Sequence, residues 1–240
     1  MLKDWSNVII PEEEEINERL EKARNKLVQQ QILIMQKKLP VLVSFDGWGA
    51  AGKGSILGKI IKNIDPRFFK VAVMDKPTED EKRRPFLYRY VINIPEAGKF
   101  TFMDGGCLDE VTKQKLSGKI TDEEYKRKIE SVKRFERQLS DNGYLVIKFF
   151  FHIGEQEQRK RLTRLLDDKN TRWRVSEYDL WQNQHYKKSL KAFDQFIDDT
   201  SQSIAPWYIV DATDKKWAQL QILETLVQAV DTCLLYTSDA

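Results

Sequence analysis

The sequence predicts an α/β fold in which helices cover both faces of a five-stranded parallel sheet, giving three αβα layers. Five short apolar runs alternate with longer helical patterns, which is typical of a parallel sheet built from βαβ units. A glycine-rich loop and a helix follow the first run directly. The strands are predicted at residues 41–45, 69–74, 99–103, 144–153 and 206–210. Residues 144–153 are nearly all apolar, as expected of a central strand buried on both faces.

The helices are predicted from apolar spacing and from their start and stop signals. Pro11 and a run of glutamates open the first helix, and Pro40 ends it. Thr121-x-x-Glu124 and Ser176-x-x-Asp179 are capping boxes that open two later helices. The predicted helices span residues 12–38, 53–64, 86–94, 108–118, 121–140, 155–168, 176–199 and 214–230.

The chain divides into an N-terminal arm and helix (1–40), a main domain (41–230) and a tail (231–240). Residues 1–10 are predicted to be extended. Basic residues crowd residues 155–185, which follow the fourth strand, where nucleotide kinases carry a mobile lid. The tail does not continue the amphipathic pattern of the last helix, so it is set apart from the fold.

Composition and charge exclude several classes of protein. The chain has 240 residues, of which 41% are hydrophobic and 32% charged, a balance typical of soluble globular proteins. No apolar run is long enough to span a membrane, and residues 1–15 lack the apolar segment of a signal peptide. Two cysteines are too few for a disulfide framework and predict a reducing cytoplasm. A net charge of +3 suits an anionic ligand without requiring nucleic acid.

The loop after the first strand matches G-x-x-x-x-G-K, the phosphate-binding P-loop. Its glycines let backbone N–H groups approach a phosphate, while the helix N-terminus and Lys53 add positive charge. A P-loop on the first strand of this pattern favours one three-layer αβα domain. The usual Mg²⁺-binding hydroxyl is replaced by Gly54, and Ser55 comes one position late. The predicted phosphate-binding residues of the loop are Gly47, Gly49, Ala50, Ala51, Gly52, Lys53, Gly54 and Ser55.

Carboxylates at two strand ends predict a Mg²⁺ site. Asp104 ends the third strand, in the Walker B pattern of an apolar strand capped by aspartate. Asp46 ends the first strand and is the nearest oxygen ligand to the P-loop. Lys76 follows the second strand, a position suited to a phosphate contact.

Three further side chains admit two interpretations each. Lys148 interrupts the central strand and is expected to reach water from the edge of the core rather than to bind phosphate. His152 is expected to be a hydrogen-bonded core residue. Trp173 could stack on a base or pack in the core.

Blocks along residues 5–230 resemble the polyphosphate kinase 2 family, with the polyphosphate:AMP phosphotransferases as the nearest branch. The blocks are FDGWGAAGKG, KPTEDE, FLYRY, FERQLSDNGYLVIKFFFHI, EQEQRKR, TRWRVSEYD and IAPWYIVDATDK. The resemblance implies a P-loop kinase fold with a helical lid. It also implies Mg²⁺-dependent phosphoryl transfer between inorganic polyphosphate and a nucleoside mono- or diphosphate, AMP or ADP. It also implies a homo-oligomer, dimer or tetramer, with Lys53, Asp46 and Asp104 catalytic. Arg89 and Arg172 would bind anionic oxygens, and Asp46 could also orient or deprotonate the attacking oxygen.

Two positions depart from the family pattern. The family loop reads G-x-D-A-A-G-K-G, but Gly49 stands where it has aspartate. The family block D-R-S-W-Y is replaced from Asp104 onward, and Gly105 stands where it has arginine. Each lost charge costs on the order of a hundredfold in rate if nothing replaces it. Asp109 and Glu110 are possible replacement ligands.

Two other functions stay open at this point. The first is an ATP-dependent nucleotide kinase of the same fold, which differs in its phosphoryl donor. The second is a binding subunit without turnover, which predicts that Gly49→Asp with Gly105→Arg restores activity. A nucleic-acid binder is disfavoured, because the basic residues are not interleaved with an aromatic platform.

Overall fold

The computed structural model describes residue 2 and residues 9–236. The strands are β1 (Val41–Gly47), β2 (Phe69–Val73), β3 (Phe100–Asp104), β4 (Leu145–His152) and β5 (Trp207–Asp211). The helices are α1 (Glu13–Gln36), α2 (Lys53–Ile61), α3 (Glu79–Lys82), α4 (Tyr88–Val91), α5 (Cys107–Leu116), α6 (Asp122–Asp141), α7 (Glu155–Asp167), α8 (Glu177–Gln184), α9 (Tyr186–Thr200) and α10 (Lys215–Tyr236). Within this part of the chain, no helix is long and apolar enough to cross a membrane.

The five strands form one parallel sheet in the order β2-β3-β1-β4-β5. Helices α1, α2 and α10 pack together on one face, and α5, α6 and α9 pack on the other. The predicted three-layer αβα fold is therefore confirmed. Because all strands run the same way, their carboxyl ends meet at one edge, where Gly47 and Asp104 end two neighbouring strands.

An aromatic core surrounds β1. The Phe45 ring stacks on Phe102 and Phe149 of the two neighbouring strands and meets Phe151 edge-on. All four rings are fully buried. Such ring pairs contribute about 0.5–1.5 kcal/mol each beyond their area burial. The core therefore holds the strand that leads into the P-loop rigidly in place.

The predicted helix over residues 176–199 is wrong in one respect, because the chain forms α8 and α9 with a break between them. His185 leaves the helical region, with φ −115° and ψ 37°, and its ring stacks on Trp181. Both capping boxes are confirmed, with Thr121 and Ser176 accepting hydrogen bonds from the backbone N–H groups three residues later.

Two other predicted helix boundaries are also wrong. The helix over 86–94 shrinks to the four residues of α4, and the chain after it forms a tighter turn before Pro95, with Asn93 N donating to Tyr90 O and Ile94 N to Val91 O. The last helix extends beyond its predicted end at residue 230 to Tyr236, and Gln30 of α1 donates to Asp231 Oδ1 at 2.8 Å. Most of the predicted arm (residues 1 and 3–8) and residues 237–240 of the tail lie outside the described residues.

Lys148 is buried, so the expectation that it reaches water is wrong. Its Nζ atom donates to both carboxylate oxygens of Glu136 at 2.8 Å and to Thr200 O at 3.0 Å. Burial lowers the pKa of Lys148 and raises the pKa of Glu136. This ion pair ties β4 to α6 in the protein interior, away from the phosphate-binding edge.

The other two ambiguous side chains have opposite environments. His152 is a core residue, as predicted, and its Nδ1 accepts a 3.2 Å hydrogen bond from Trp48 Nε1. Trp173 is 75% exposed and donates to Asn170 O, so core packing is wrong for this residue. Cys107 and Cys233 are free thiols.

Candidate active site

The P-loop leaves β1 at Gly47, where only glycine fits. Its φ is +133°, and an added Cβ would lie 2.6 Å from the Phe151 backbone nitrogen. The loop ends at Gly52, which has φ +95° and gives α2 no side-chain cap. The first N–H groups of α2 therefore lack a side-chain acceptor and point towards any anion bound in the loop.

Lys53 lies at the start of α2 and folds back over the loop. Its Nζ atom donates to Gly47 O and Trp48 O, both at 3.1 Å. An ammonium group has three donors, so one remains for a phosphate oxygen. The loop carbonyls thus fix the position of the charge before a ligand arrives.

Arg161 of α7 holds the loop from behind. Its guanidinium donates to Ala51 O at 3.2 Å and Ala50 O at 3.5 Å, and to Ala212 O and Thr213 O at 2.9 and 2.7 Å. It also pairs with Glu157 at 2.6 Å. Arg161 belongs to the basic run predicted to form the lid, but its charge is buried and fully used in the fold. It positions the P-loop and is not free to contact a substrate.

A network of buried amides joins the lid segment to the P-loop. Gly49 N donates to Gln182 Oε1 at 2.9 Å, and Gln158 Nε2 donates to Gly49 O at 3.2 Å. Gln158 also bonds Gln182 and Asn183. Sequence reasoning missed these three residues, because a glutamine in a polar helix carries no signal that separates it from a solvated one.

The loop opens onto a cavity of about 190 Å³ at the carboxyl edge of the sheet. Four carboxylates and two ammonium groups line this cavity, hereafter the catalytic cavity. Its lining residues are Asp46, Gly47, Gly49, Lys53, Met74, Asp104, Gly105, Asp109, Lys113, Ser176, Tyr178, Asp179 and Gln182. The structure therefore brings together Asp46, Lys53 and Asp104, as the sequence predicts.

Asp46 is 1% exposed and strongly hydrogen-bonded. Its Oδ1 accepts from Gly106 N at 3.0 Å and its Oδ2 accepts from Ser44 Oγ at 2.9 Å. Burial raises the pKa of its carboxyl to about 6. Gly106 makes this arrangement possible, since an added Cβ there would lie 2.6 Å from Ser44 Oγ.

Asp104 and Asp109 are the next two carboxylates. Burial raises the pKa of each, while the Lys53 charge opposes the rise in both. Hard carboxylate oxygens beside a phosphate-binding loop are the ligands that Mg²⁺ prefers, and Mg²⁺ takes its other ligands from water and substrate phosphates. In the described part of the chain, no three His, Cys, Asp or Glu side chains form a metal cage by themselves. The donors present fit Mg²⁺.

Asp179 is the fourth carboxylate, and it lies directly against Gly49. An added Cβ at Gly49 would lie 2.8 Å from Asp179 Cγ and 3.0 Å from its Cβ. Asp179 Oδ2 accepts from Ser176 N and Ser176 Oγ at 2.8 and 2.7 Å, leaving Oδ1 to face the loop. Sequence analysis recognised Asp179 only as a capping residue. A carboxylate from α8 thus lies beside the position where the resemblance leads one to expect an aspartate.

Lys113 and Tyr178 close the cavity on the side of α5 and α8. The Lys113 ammonium lies 4.1 Å from the centre of the Tyr178 ring. Nothing in the sequence marked either residue. Glu110, considered as a metal ligand, instead accepts from the Tyr90 hydroxyl at 3.0 Å.

Several predicted phosphate-binding residues do not line the catalytic cavity. Arg89 is 8% exposed and donates to Asp75 O at 2.6 Å, so its guanidinium supports the loop after β2. Lys76, Arg172 and Ser55 are exposed outside the cavity. Ala50, Ala51 and Gly52 form the loop backbone, whereas Gly54 lies in the first turn of α2, where an added Cβ would lie 3.3 Å from Asp104 Oδ2.

Comparison with known proteins gives consistent matches. The family model described as polyphosphate kinase 2 matches residues 11–235. A polyphosphate:AMP phosphotransferase from Pseudomonas syringae is 31% identical over 195 residues, which are 81% of this chain and 39% of that protein. An ADP-polyphosphate phosphotransferase from Pseudomonas aeruginosa is 29% identical over 205 residues, covering 85% of this chain and 67% of that protein.

Two solved structures share the fold over most of the chain. A polyphosphate kinase 2 from Arthrobacter aurescens superimposes with a TM-score of 0.84 at 26% identity, covering 89% of this chain and 77% of the other. A putative polyphosphate kinase 2 from Pseudomonas aeruginosa gives a TM-score of 0.90 at 27% identity, covering 97% and 50%. The chain thus spans 39% of the length of the Pseudomonas syringae relative and 50% of the length of the Pseudomonas aeruginosa structure. With a P-loop, a Walker B aspartate and the family model matching nearly end to end, this chain belongs to the polyphosphate kinase 2 family.

Proposed function

We propose that the protein is a Mg²⁺-dependent phosphotransferase that moves a phosphoryl group between inorganic polyphosphate and AMP or ADP. The observation that carries the proposal is that one cavity contains the P-loop, its lysine and four carboxylates. Names of the relatives support this choice of substrates, since they include polyphosphate:AMP and ADP-polyphosphate phosphotransferases.

The cationic groups bind and orient the phosphates. The α2 N-terminus and the free donor of Lys53 hold the phosphoryl group that is transferred, and Lys113 neutralises a neighbouring phosphate. An oxygen of the acceptor phosphate attacks the terminal phosphorus of polyphosphate. The bond to the bridging oxygen breaks, and the shortened chain leaves with the electron pair.

The carboxylates hold the metal ion. Asp104 and Asp46 are the proposed ligands, with Asp109 and Asp179 within the same cavity. When bound, Mg²⁺ would neutralise phosphate oxygens and so stabilise the charge of the transition state. Asp46 also orients the acceptor oxygen, because its own position is fixed by Ser44 and Gly106. Closure of residues 155–185 would exclude water, so that hydrolysis does not compete.

A second function has a specific observation in its favour. The Gly49 N–H, which would otherwise point at phosphate, is satisfied by Gln182, and Asp179 occupies the adjoining space. A loop held in this way fits a subunit that binds polyphosphate or nucleotide without turnover. An ATP-dependent kinase differs from the main proposal only in its donor.

The test mixes the purified protein with Mg²⁺, long-chain polyphosphate and AMP or ADP, without ATP, and follows nucleotides by chromatography. We expect ADP or ATP to form, and Lys53→Ala to abolish product formation. The matched control is Lys126→Ala, an exposed lysine of α6 outside the cavity. Product with ATP as the only active donor would favour the ATP-dependent kinase. Binding of polyphosphate without product from either donor would leave the binding subunit.

Membership of the polyphosphate kinase 2 family also motivates proposals about the oligomeric state and the cellular location of the protein. We expect a dimer or tetramer in the cytoplasm, with no nucleic-acid or membrane partner. Light scattering of the purified protein at several concentrations measures the assembly, and a monomer throughout would contradict it.

A further inference from the structure

A second groove lies on the face of the sheet covered by α1, α2 and α10. Its volume is about 690 Å³, several times that of the catalytic cavity. The two sites share no lining residue. We call it the basic groove, and it is lined by Asn17, Leu20, Glu21, Arg24, Lys59, Lys62, Asn63, Lys216 and Gln219.

The basic groove carries an excess of positive charge. Four cationic side chains line it, against the single carboxylate of Glu21. Among the described residues, Lys59 and Lys62 make no ion pair, whereas Lys216 pairs with Glu13 at the rim. The neighbouring Lys215 has its pKa lowered by burial and then by the charges of Arg164, Arg161 and Lys59. Lys59 thus contributes to a positive potential that reaches beyond the groove.

Two buried donors in the groove have no acceptor. Gln219 is 1% exposed, and its Nε2 atom has no hydrogen-bond partner in the described structure. The same holds for the buried Nε atom of Arg24. Both atoms are buried beneath the groove surface, so they belong to its wall, and the exposed ammonium groups of Lys59, Lys62 and Lys216 are the groups that meet a ligand first.

The lining also limits the chemistry of the ligand. It contains no aromatic ring, and Leu20 is its one apolar side chain. A nucleobase would find nothing to stack on. Clustered ammonium groups and a guanidinium suit the closely spaced oxygens of a phosphate chain.

We propose that the basic groove binds inorganic oligophosphate, as a site separate from the catalytic cavity. Lys53 and Lys62 lie at opposite ends of α2, separated by about 13 Å of helix rise. The ligand could be a separate molecule or the distal part of a long chain whose end lies in the catalytic cavity. Both sources present the same chemistry to the groove.

The test measures binding of inorganic tripolyphosphate to the full chain by equilibrium dialysis, without nucleotide. We expect the wild type to bind two tripolyphosphate ions per chain, one in each site. Lys59→Glu/Lys62→Glu should keep only the ion in the catalytic cavity, and Lys53→Ala should keep only the ion in the basic groove. The matched control is Lys126→Glu/Arg134→Glu, in which two exposed residues of α6 are replaced. It changes the net charge of the protein by the same amount as Lys59→Glu/Lys62→Glu. Thermal unfolding without ligand confirms that each variant is folded.

The outcomes separate this proposal from the proposed function. Binding to Lys59→Glu/Lys62→Glu that matches the α6 control would overturn it. One bound ion that is lost in Lys59→Glu/Lys62→Glu but kept in Lys53→Ala supports the groove even if the catalytic cavity binds nothing. Long-chain polyphosphate that binds once per chain, at least tenfold more tightly than tripolyphosphate, would identify one molecule spanning both sites. Two independent long chains would identify separate molecules.

Discussion

Replacing Gly49 by alanine places a Cβ atom 2.8 Å from Asp179 Cγ and 3.0 Å from Asp179 Cβ. Carbon atoms pack best at about 3.5–4.0 Å, so either the P-loop or α8 must move. Asp179 cannot easily turn away, because Ser176 N and Ser176 Oγ hold its Oδ2. Overpacking of this kind costs about 1–3 kcal/mol. The backbone at Gly49 does not have a positive φ in the structure, so the expected cost comes from this contact and not from backbone strain.

Removing the Asp179 carboxylate should remove most of that cost. In an Asp179→Ala background only the 3.0 Å contact with the Cβ of residue 179 remains, so Gly49→Ala should cost clearly less than it does in the wild type. Asp179→Ala alone keeps Ser176 as the N-cap of α8 but loses the reciprocal hydrogen bond from Ser176 N to Asp179 Oδ2, which we expect to cost about 1 kcal/mol. The coupling energy between the two positions should therefore be about 1–3 kcal/mol.

Urea unfolding of the four proteins in this double-mutant cycle measures the coupling. Thermal unfolding gives a second readout, at roughly 2–4 °C per kcal/mol for a chain of this size. An equal loss from Gly49→Ala in both backgrounds would refute the contact. The cycle also changes how the missing aspartate should be tested. Gly49→Asp needs Asp179 removed, and Gly105→Arg puts a side chain on a residue at φ +95°, so the simple pair should not raise turnover.

Three further predictions concern buried ionisable side chains. Lys148→Met should cost about 3–5 kcal/mol of unfolding free energy, because the buried Glu136 carboxylate loses its partner. Lys148→Met/Glu136→Leu should recover most of that in urea titrations, and an equal loss in both variants would contradict the ion pair's role. Arg161→Lys keeps the charge but loses the fork that reaches four carbonyls, so its thermal unfolding should occur several degrees lower, and unchanged melting would contradict this. Burial lowers the pKa of His152 to about 4 from 6.5, so the unfolded chain binds the extra proton, and stability falls as the pH drops from 6.5 towards 4. Relative to His152→Gln, the wild type should lose about 2–3 kcal/mol over that range in urea titrations, and parallel curves would rule this out.

The sequence was sufficient for the elements whose signals are local. The P-loop, the apolar strands and both capping boxes are read from residues adjacent along the chain, and all form as predicted. The break at His185 was not predictable in this way. Every residue from 176 to 199 is compatible with one continuous helix, and the break shows only in the backbone angles and the ring stacking there.

The candidate site was predictable where a strand end supplies the residue. Asp46 and Asp104 follow apolar strands that end at one edge of the sheet. Asp179, Gln182 and Lys113 come from helices, and only tertiary packing brings them to the P-loop. Arg89 illustrates the limit of the sequence, because its place in a basic, aromatic block said nothing about its burial against the Asp75 carbonyl.

The position of β1 between β3 and β4 has a consequence during synthesis. Each residue of β1 pairs in β4 with a residue about 100 positions later in the chain. At 5–20 residues per second, the ribosome needs about 5–20 s to supply that second neighbour. Until then β1, whose apolar residues are Val41, Leu42, Val43 and Phe45, has an unpaired edge next to the P-loop. The nascent chain is therefore most prone to aggregate between the emergence of β3 and that of β4, and we expect chaperone dependence to be concentrated in this window.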